Sequence, residues 1–173
     1  MAAPDRPWIG ISACLLGEAV RWDGRDKRSA LLVDALGPRV EWIPVCPEVE
    51  VGMGVPREPI VLVGAPSAPR LQGASSGLDH TEAMRDWANR RVDALVALGI
   101  RGWVSKAGSP SCGPGGVPVW TVRGGAASAP GAGLFAGLLR ARLPHLPIAD
   151  EGELSDARFR EAFLARCQGR GGG

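Results

Sequence analysis

Three short strand-like runs constrain this chain more than any other feature: WIGISA at 8–13, VEWIPV at 40–45 and RGWVS at 101–105. Each is too short for a helix, carries apolar or β-branched residues, and gives way to Gly, Pro or charged residues, the pattern of a buried strand. Segments of helical period separate them. From Glu82 to Leu98 the apolar residues Met84, Trp87, Ala88, Val92, Leu95, Val96 and Leu98 recur at three- and four-residue steps, and Gly99 closes the run. A shorter helix is expected over Ser29 to Leu36, stopped by Gly37-Pro38, a Gly/Ala-rich one over Gly131 to Leu143, and a last one over Ser155 to Cys167, capped by Ser155 or Asp156. Asp79 or Thr81 is the expected cap of the long helix. Further strands are expected at Ile60–Val63, at Arg70–Gln72 as an edge, at Val119–Val122 and at Leu146–Ala149. Strands alternating with helices at this rhythm predict an α/β fold, a mostly parallel, doubly wound sheet of Rossmann or flavodoxin type with helices on both faces. Residues 1–168 read as a single domain and 169–173, GRGGG, is expected to be a disordered tail.

This order of elements says where the cysteines go. Cys14 ends the first run, Cys46 ends the second and is followed by Pro47, and Cys112 lies in the loop KAGSPSCGPGG after the third. In open α/β sheets the loops at the carboxyl ends of the strands converge on one crevice. Three thiols distant in sequence are therefore expected at one edge, while Cys167, near the end of the last helix, is not.

At 173 residues the chain buries a core without metal or disulfide support, so a metal here would serve chemistry. The N-terminus is neither a basic-then-apolar leader nor a membrane span, and the expected location is the cytoplasm, where thiols stay reduced. The formal charge of +2, with no basic run, argues against gripping long nucleic acid. A small substrate fits better, and a whole tRNA is not favoured.

Three uses of the thiols stay open on the residues alone. Three thiolates hold three irons of a four-iron cluster, leaving one iron free to act as a Lewis acid toward a soft donor. A single cysteine acts as a nucleophile with Glu48 as base and no cluster. A closed zinc or redox module takes Cys167 or a His as its fourth ligand. The loop around Cys112 carries little bulk, so its amides can approach cluster sulfides. Glu48, Lys106, Ser109 and Ser111 put acid–base and hydrogen-bonding groups at the same edge. His80 and His145 read as structural, and the six tryptophans as packing residues, with Trp22 and Trp120 in loops where a nucleobase could stack.

SACLLG around Cys14, RWDG at 21–24, IPVCPEV around Cys46, Pro56-Arg57, GLDHT at 77–81 and SKAGSPSCG around Cys112 together resemble the thiouracil desulfurase family, the TudS-like proteins. The resemblance runs from about Ile9 to Glu151. It implies a 4Fe-4S cluster on Cys14, Cys46 and Cys112 whose unligated iron takes sulfur from 2- or 4-thiouracil or thiouridine, leaving uracil or uridine. It implies proton-transfer and substrate-handling roles for Glu48 and Ser109. Ser12, Asp23, Lys106 and Ser111 are expected to contact the substrate, a thiolated pyrimidine base or nucleoside, in a monomer or homodimer. Three departures stand out: Trp22 where tyrosine is common, VGMG at 51–54 in place of GGL, and no Asp-Gly turn after Gly116.

Overall fold

The computed structural model describes residues 6–170. Strand β1 (Trp8–Ser12) is central to a four-stranded, all-parallel sheet and pairs on one side with β2 (Glu41–Val45), Trp8 opposite Glu41 and Ser12 opposite Val45. On its other side lies β5 (Gly102–Ser105), with Ile9 opposite Gly102, and β5 in turn pairs with β7 (Ile148–Asp150). Counted within this sheet, β2-β1-β5-β7 is the order 2-1-3-4 of flavodoxin-type doubly wound sheets, and every crossover runs through a helix or a long connection.

Period-two alternation divides the core in two. Ile9, Ile11 and Val104 pack with Leu32 and Leu36 of a π-helical turn (Leu31–Leu36) and with Phe163 and Leu164 of α4 (Ala157–Cys167). Trp103, pointing the other way, packs with α2 (Thr81–Ala97) and α3 (Leu134–Arg142). There the rings of Trp103 and Phe135 meet edge-on at 5.0 Å, and Trp87 tilts on Phe135 at 5.2 Å. Helices thus cover both faces, as the alternation of elements predicts. Gly10 is dictated by the same packing: a Cβ there would lie 2.3 Å from the Trp103 ring.

The remaining strands do not join this sheet. β3 (Ile60–Ala65) and β4 (Ala68–Gly73) form a hairpin, and β6 (Val119–Trp120) pairs parallel to β3, giving a separate sheet ordered β4-β3-β6. Pro66-Ser67, two residues, links β3 to β4, and a link that short permits only an antiparallel pair. Leu62, Leu71 and Val119 of this sheet share the cluster of Trp103 and Phe135, so the two sheets have a common core.

Several boundaries move for identifiable reasons. β6 ends at Trp120 rather than Val122 because the chain turns, the Gly125 N–H donating to the Val122 carbonyl at 2.9 Å. α3 starts at Leu134 because Gly131 is paired with Val117. A four-residue helix with no counterpart among the expected elements, α1 (Pro47–Glu50), follows β2, begun by Pro47 at its first position. Asp156, not Ser155, caps α4 by accepting the Phe159 N–H at 2.8 Å. At the head of α2 the Thr81 N–H donates to Asp79, while the Thr81 hydroxyl is taken by the Leu71 N–H. Of the expected tail, Gly169 and Arg170 close α4, the Arg170 N–H reaching the Ala165 carbonyl, and 171–173 lie outside the described residues. No helix among the described residues is long and apolar enough to cross a membrane.

Phe135 is fully buried at the junction of the two sheets, so Phe135→Ala is expected to cost about 3–5 kcal/mol of folding stability. Urea unfolding of the two proteins side by side checks this.

Candidate active site and metal centre

A cavity of about 410 Å³ opens at the carboxyl ends of β1, β2 and β5, and β3 and β6 of the second sheet form its opposite wall. Cys14, Cys46 and Cys112 all line it. Each is placed by a local device. Cys14 sits in a 3-10 turn (Ala13–Leu16) directly after β1, closed by Gly17, whose φ of +98° lets its N–H reach the Cys14 carbonyl. Cys46 caps α1, its N–H held at 3.2 Å by the Glu50 carboxylate, which Arg91 of α2 pairs at 3.0 Å. Cys112 follows a tight turn in which the Ser109 hydroxyl accepts the Ser111 and Cys112 N–H groups at 3.3 and 3.1 Å. That turn rests on the start of α3, where the Phe135 and Ala136 N–H groups both donate to the Ser111 carbonyl.

Burial dominates the chemistry of the thiols. It pushes Cys112 up to about 12 against opposing hydrogen bonds from Ser12 and Ser111. Burial likewise pushes Cys14 up to about 11, with Arg21 opposing, and raises Cys46. Alone, these groups are neutral thiols near pH 7, and a cation must displace their protons to be bound. All four cysteines are free of disulfides. Among the described residues no three His, Cys, Asp or Glu side chains converge on a point that suits one metal ion. A polynuclear cluster makes no such demand, because each thiolate meets a different iron, and an all-thiolate donor set is what iron–sulfur clusters take. The three residues fit such a group.

Glu48 shares the cavity with the thiols. Its Oε2 is held by Arg57, Nε at 2.7 Å and Nη2 at 2.6 Å, while Oε1 accepts from the Ser111 hydroxyl at 3.0 Å. The Ser111 and Ser109 hydroxyls are 3.1 Å apart, extending the chain of exchangeable protons. Ser12 lines the cavity and accepts the Lys106 N–H at 2.9 Å; the Lys106 ammonium lies at the cavity, paired with Glu151 and bonded to the Ala107 carbonyl. Asp23 is the candidate that falls outside the lining: its carboxylate accepts the Arg25 N–H at 3.0 Å and shapes the turn. Trp22, 44% exposed, and Trp120 both border the cavity. Cys167 does not; it packs so closely on β5 that a Cβ at Gly102 would lie 2.5 Å from its sulfur.

Sequence reasoning gave no role to Arg57, Glu50, Arg91 or Glu151. Arg57 had one signal, its place in the Pro56-Arg57 pair. Nothing in the spacing tied Glu151 to Lys106, 45 residues away.

A small α/β domain thus gathers two buried thiols, a half-buried third and a carboxylate at the carboxyl edge of its parallel sheet, the donor set an iron–sulfur enzyme uses. The family model of 2-thiouracil desulfurases matches residues 9–151, and the chain belongs to that family. The solved structure of a 4Fe-4S-dependent thiouracil desulfidase, TudS, is similar with a TM-score of 0.71 and 33% identity, covering 90% of this chain and 98% of that one. An uncharacterised protein of Bacillus subtilis (strain 168), YbbK, is 28% identical over 153 residues, 86% of this chain and 98% of that protein.

Gly133 leaves no room beside the cysteine loop: a Cβ would lie 2.5 Å from the Ser111 carbonyl carbon and 2.9 Å from the Cys112 nitrogen. Gly133→Ala is expected to shift Cys112 and lower the iron retained after anaerobic reconstitution, measured by iron assay against the wild type. Cys167 predicts a pH effect. Burial raises its thiol from 9.0 to about 12, so its contribution to folding is complete below pH 9 and is lost as pH rises from there toward 12. Denaturation of metal-free protein across that range should show a shallower alkaline loss for Cys167→Ala than for the wild type.

Proposed function

We propose that this chain hydrolyses thiolated pyrimidines such as 2-thiouracil, 4-thiouracil or 4-thiouridine, replacing C=S by C=O with water and releasing hydrogen sulfide, with a 4Fe-4S cluster on Cys14, Cys46 and Cys112. The observation that carries this reading is the gathering of three thiols unconnected in sequence around one cavity with Glu48. When bound, the cluster supplies an iron without a protein ligand, a Lewis acid suited to a thiocarbonyl sulfur.

The chain's own residues do the rest. The cavity volume suits a small ligand, and Trp22 and Trp120 border it with aromatic surface for a pyrimidine ring. Lys106, Arg21 and Lys27 bring positive charge to the lining, which favours an anionic centre there. Glu48, with Ser111 and Ser109 in its hydrogen-bond chain, takes a proton from the attacking water and returns one to the leaving sulfur. The overall change is redox-neutral: the C–S bonds break, a C=O forms from water, and both water protons leave on sulfur. The substrate is a free base or nucleoside rather than a whole tRNA, and the reaction belongs in the reducing cytoplasm, in a monomer or homodimer. Raised thiols argue against a cysteine nucleophile, which needs a depressed pKa.

Anaerobic purification is expected to give brown protein with about four irons per chain and loss of thiocarbonyl absorbance on adding 2-thiouracil or 4-thiouridine. Cys14→Ser, Cys46→Ser and Cys112→Ser should each lose iron, whereas Cys167→Ser should keep it. Colourless, iron-free wild type, or iron that survives all three substitutions, would sink the reading. Glu48→Gln is expected to keep its iron and slow turnover by about 10²–10⁴-fold, read from the same absorbance.

A further inference from the structure

We infer that Arg57 is the positioning residue of this site, holding the Glu48 carboxylate against the serine pair and tying down the 20–22 segment that forms the cavity rim. The inference rests on the role given above to Glu48.

The Arg57 side chain is 7% exposed, and a guanidinium so hard to desolvate is kept there only if its donors are satisfied. Three hydrogen bonds and one ion-pair contact do this. Nε donates to Glu48 Oε2 at 2.7 Å, Nη2 donates to the Val20 carbonyl at 2.8 Å and lies 2.6 Å from the same Oε2, and Nη1 donates to the Gly54 carbonyl at 2.8 Å. The backbone N–H of Arg57 adds a further bond, to the Trp22 carbonyl at 2.9 Å.

The direction of the fork matters. In the common fork–fork pairing a guanidinium engages both carboxylate oxygens, one donor to each. Here Nε donates to Oε2 and Nη2 sits against the same oxygen, so Oε1 is left to the Ser111 hydroxyl and, through it, to Ser109. One oxygen is anchored and the other faces the exchangeable protons. The second consequence concerns the rim. The Val20 carbonyl that Arg57 holds is also the acceptor of the Cys46 thiol at 3.8 Å, and Val20, Arg21 and Trp22 all line the cavity. Lysine cannot reproduce this, because its single ammonium has no rigid fork to span Glu48 and two carbonyls. The hydrogen-bond partners of Arg57 are Glu48, Gly54, Val20 and Trp22, with none of the three cysteines among them, so it acts through Glu48 and the rim.

The test is a double-mutant cycle in the reconstituted protein, with Glu48→Gln, Arg57→Gln and the pair, kcat and KM measured on 2-thiouracil and iron counted in each. Arg57→Gln is expected to keep its iron and lose kcat by about a hundredfold, with a smaller change in KM. Arg57→Gln/Glu48→Gln should be no slower than Glu48→Gln alone, which a residue that only props up the fold would not produce. Arg57→Lys should recover part of kcat. Hydrogen exchange on metal-free protein supplies a readout independent of activity: residues 20–22 should exchange faster in Arg57→Gln. Should Arg57→Gln not accumulate as folded protein, the cycle is run with Arg57→Lys, and losses that multiply with those of Glu48→Gln overturn the inference. So does an Arg57→Gln enzyme with wild-type kcat. If instead Glu48→Gln matches the wild type, the role given to Glu48 fails first, and the two failures are told apart by that single variant.

Discussion

Parallel pairing of β1 with β2 on one side and β5 on the other is the constraint on which this site depends. In a parallel sheet all strands end at the same edge, so residues that follow β1, β2 and β5 are delivered to one place although they are 32 and 66 residues apart in sequence. Ile9, Ile11 and Val104 on one face and Trp103 on the other hold that register, because a slip of one residue would turn each to the wrong side. Gly10 belongs to the same constraint, since the Trp103 ring occupies the space its side chain would need.

The edge so formed is a poor place for charge unless charge is supplied. Burial raises Cys14 and Cys112 well above an ordinary thiol, and the site answers with cations at its walls and hydroxyls close to the sulfurs. Thiols kept neutral by burial are inert as nucleophiles yet become strong ligands once a metal takes their protons. Glu48 is held differently, at the cavity wall, with Arg57 paired to one oxygen and Ser111 donating to the other. The second sheet completes the arrangement, since without β3 and β6 the strand ends would face open water rather than a cavity.

Much of the fold was legible in the residues. The long amphipathic helix, the three strands before the cysteine loops and the helices on both faces follow from period and from Gly and Pro punctuation, and they appear within a few residues of the expected bounds. What escaped was the partnering. Ile60–Val63, Arg70–Gln72 and Val119–Val122 read correctly as strands, yet no local pattern says which sheet a strand joins. On the expected bounds 64–69 separates the first two strands, and only the longer observed strands shorten the link to Pro66-Ser67 and reveal a hairpin. Asp23 shows the same limit at the site: it stands in a motif beside Trp22, and its carboxylate is spent on its own turn.

The sequence by itself determined the strand–helix order, the three motif cysteines and the acid beside one of them, because these depend on residue type and on spacing along a single chain. Only the tertiary structure decided that Glu48 is gripped by Arg57, that Cys46 is steadied by Glu50 and Arg91, that Lys106 answers Glu151, and that Cys167 belongs to the packing of α4 on β5. The reason is that side chains many residues apart meet only through the paths of the elements that carry them, and an ion pair leaves no periodic trace in the chain.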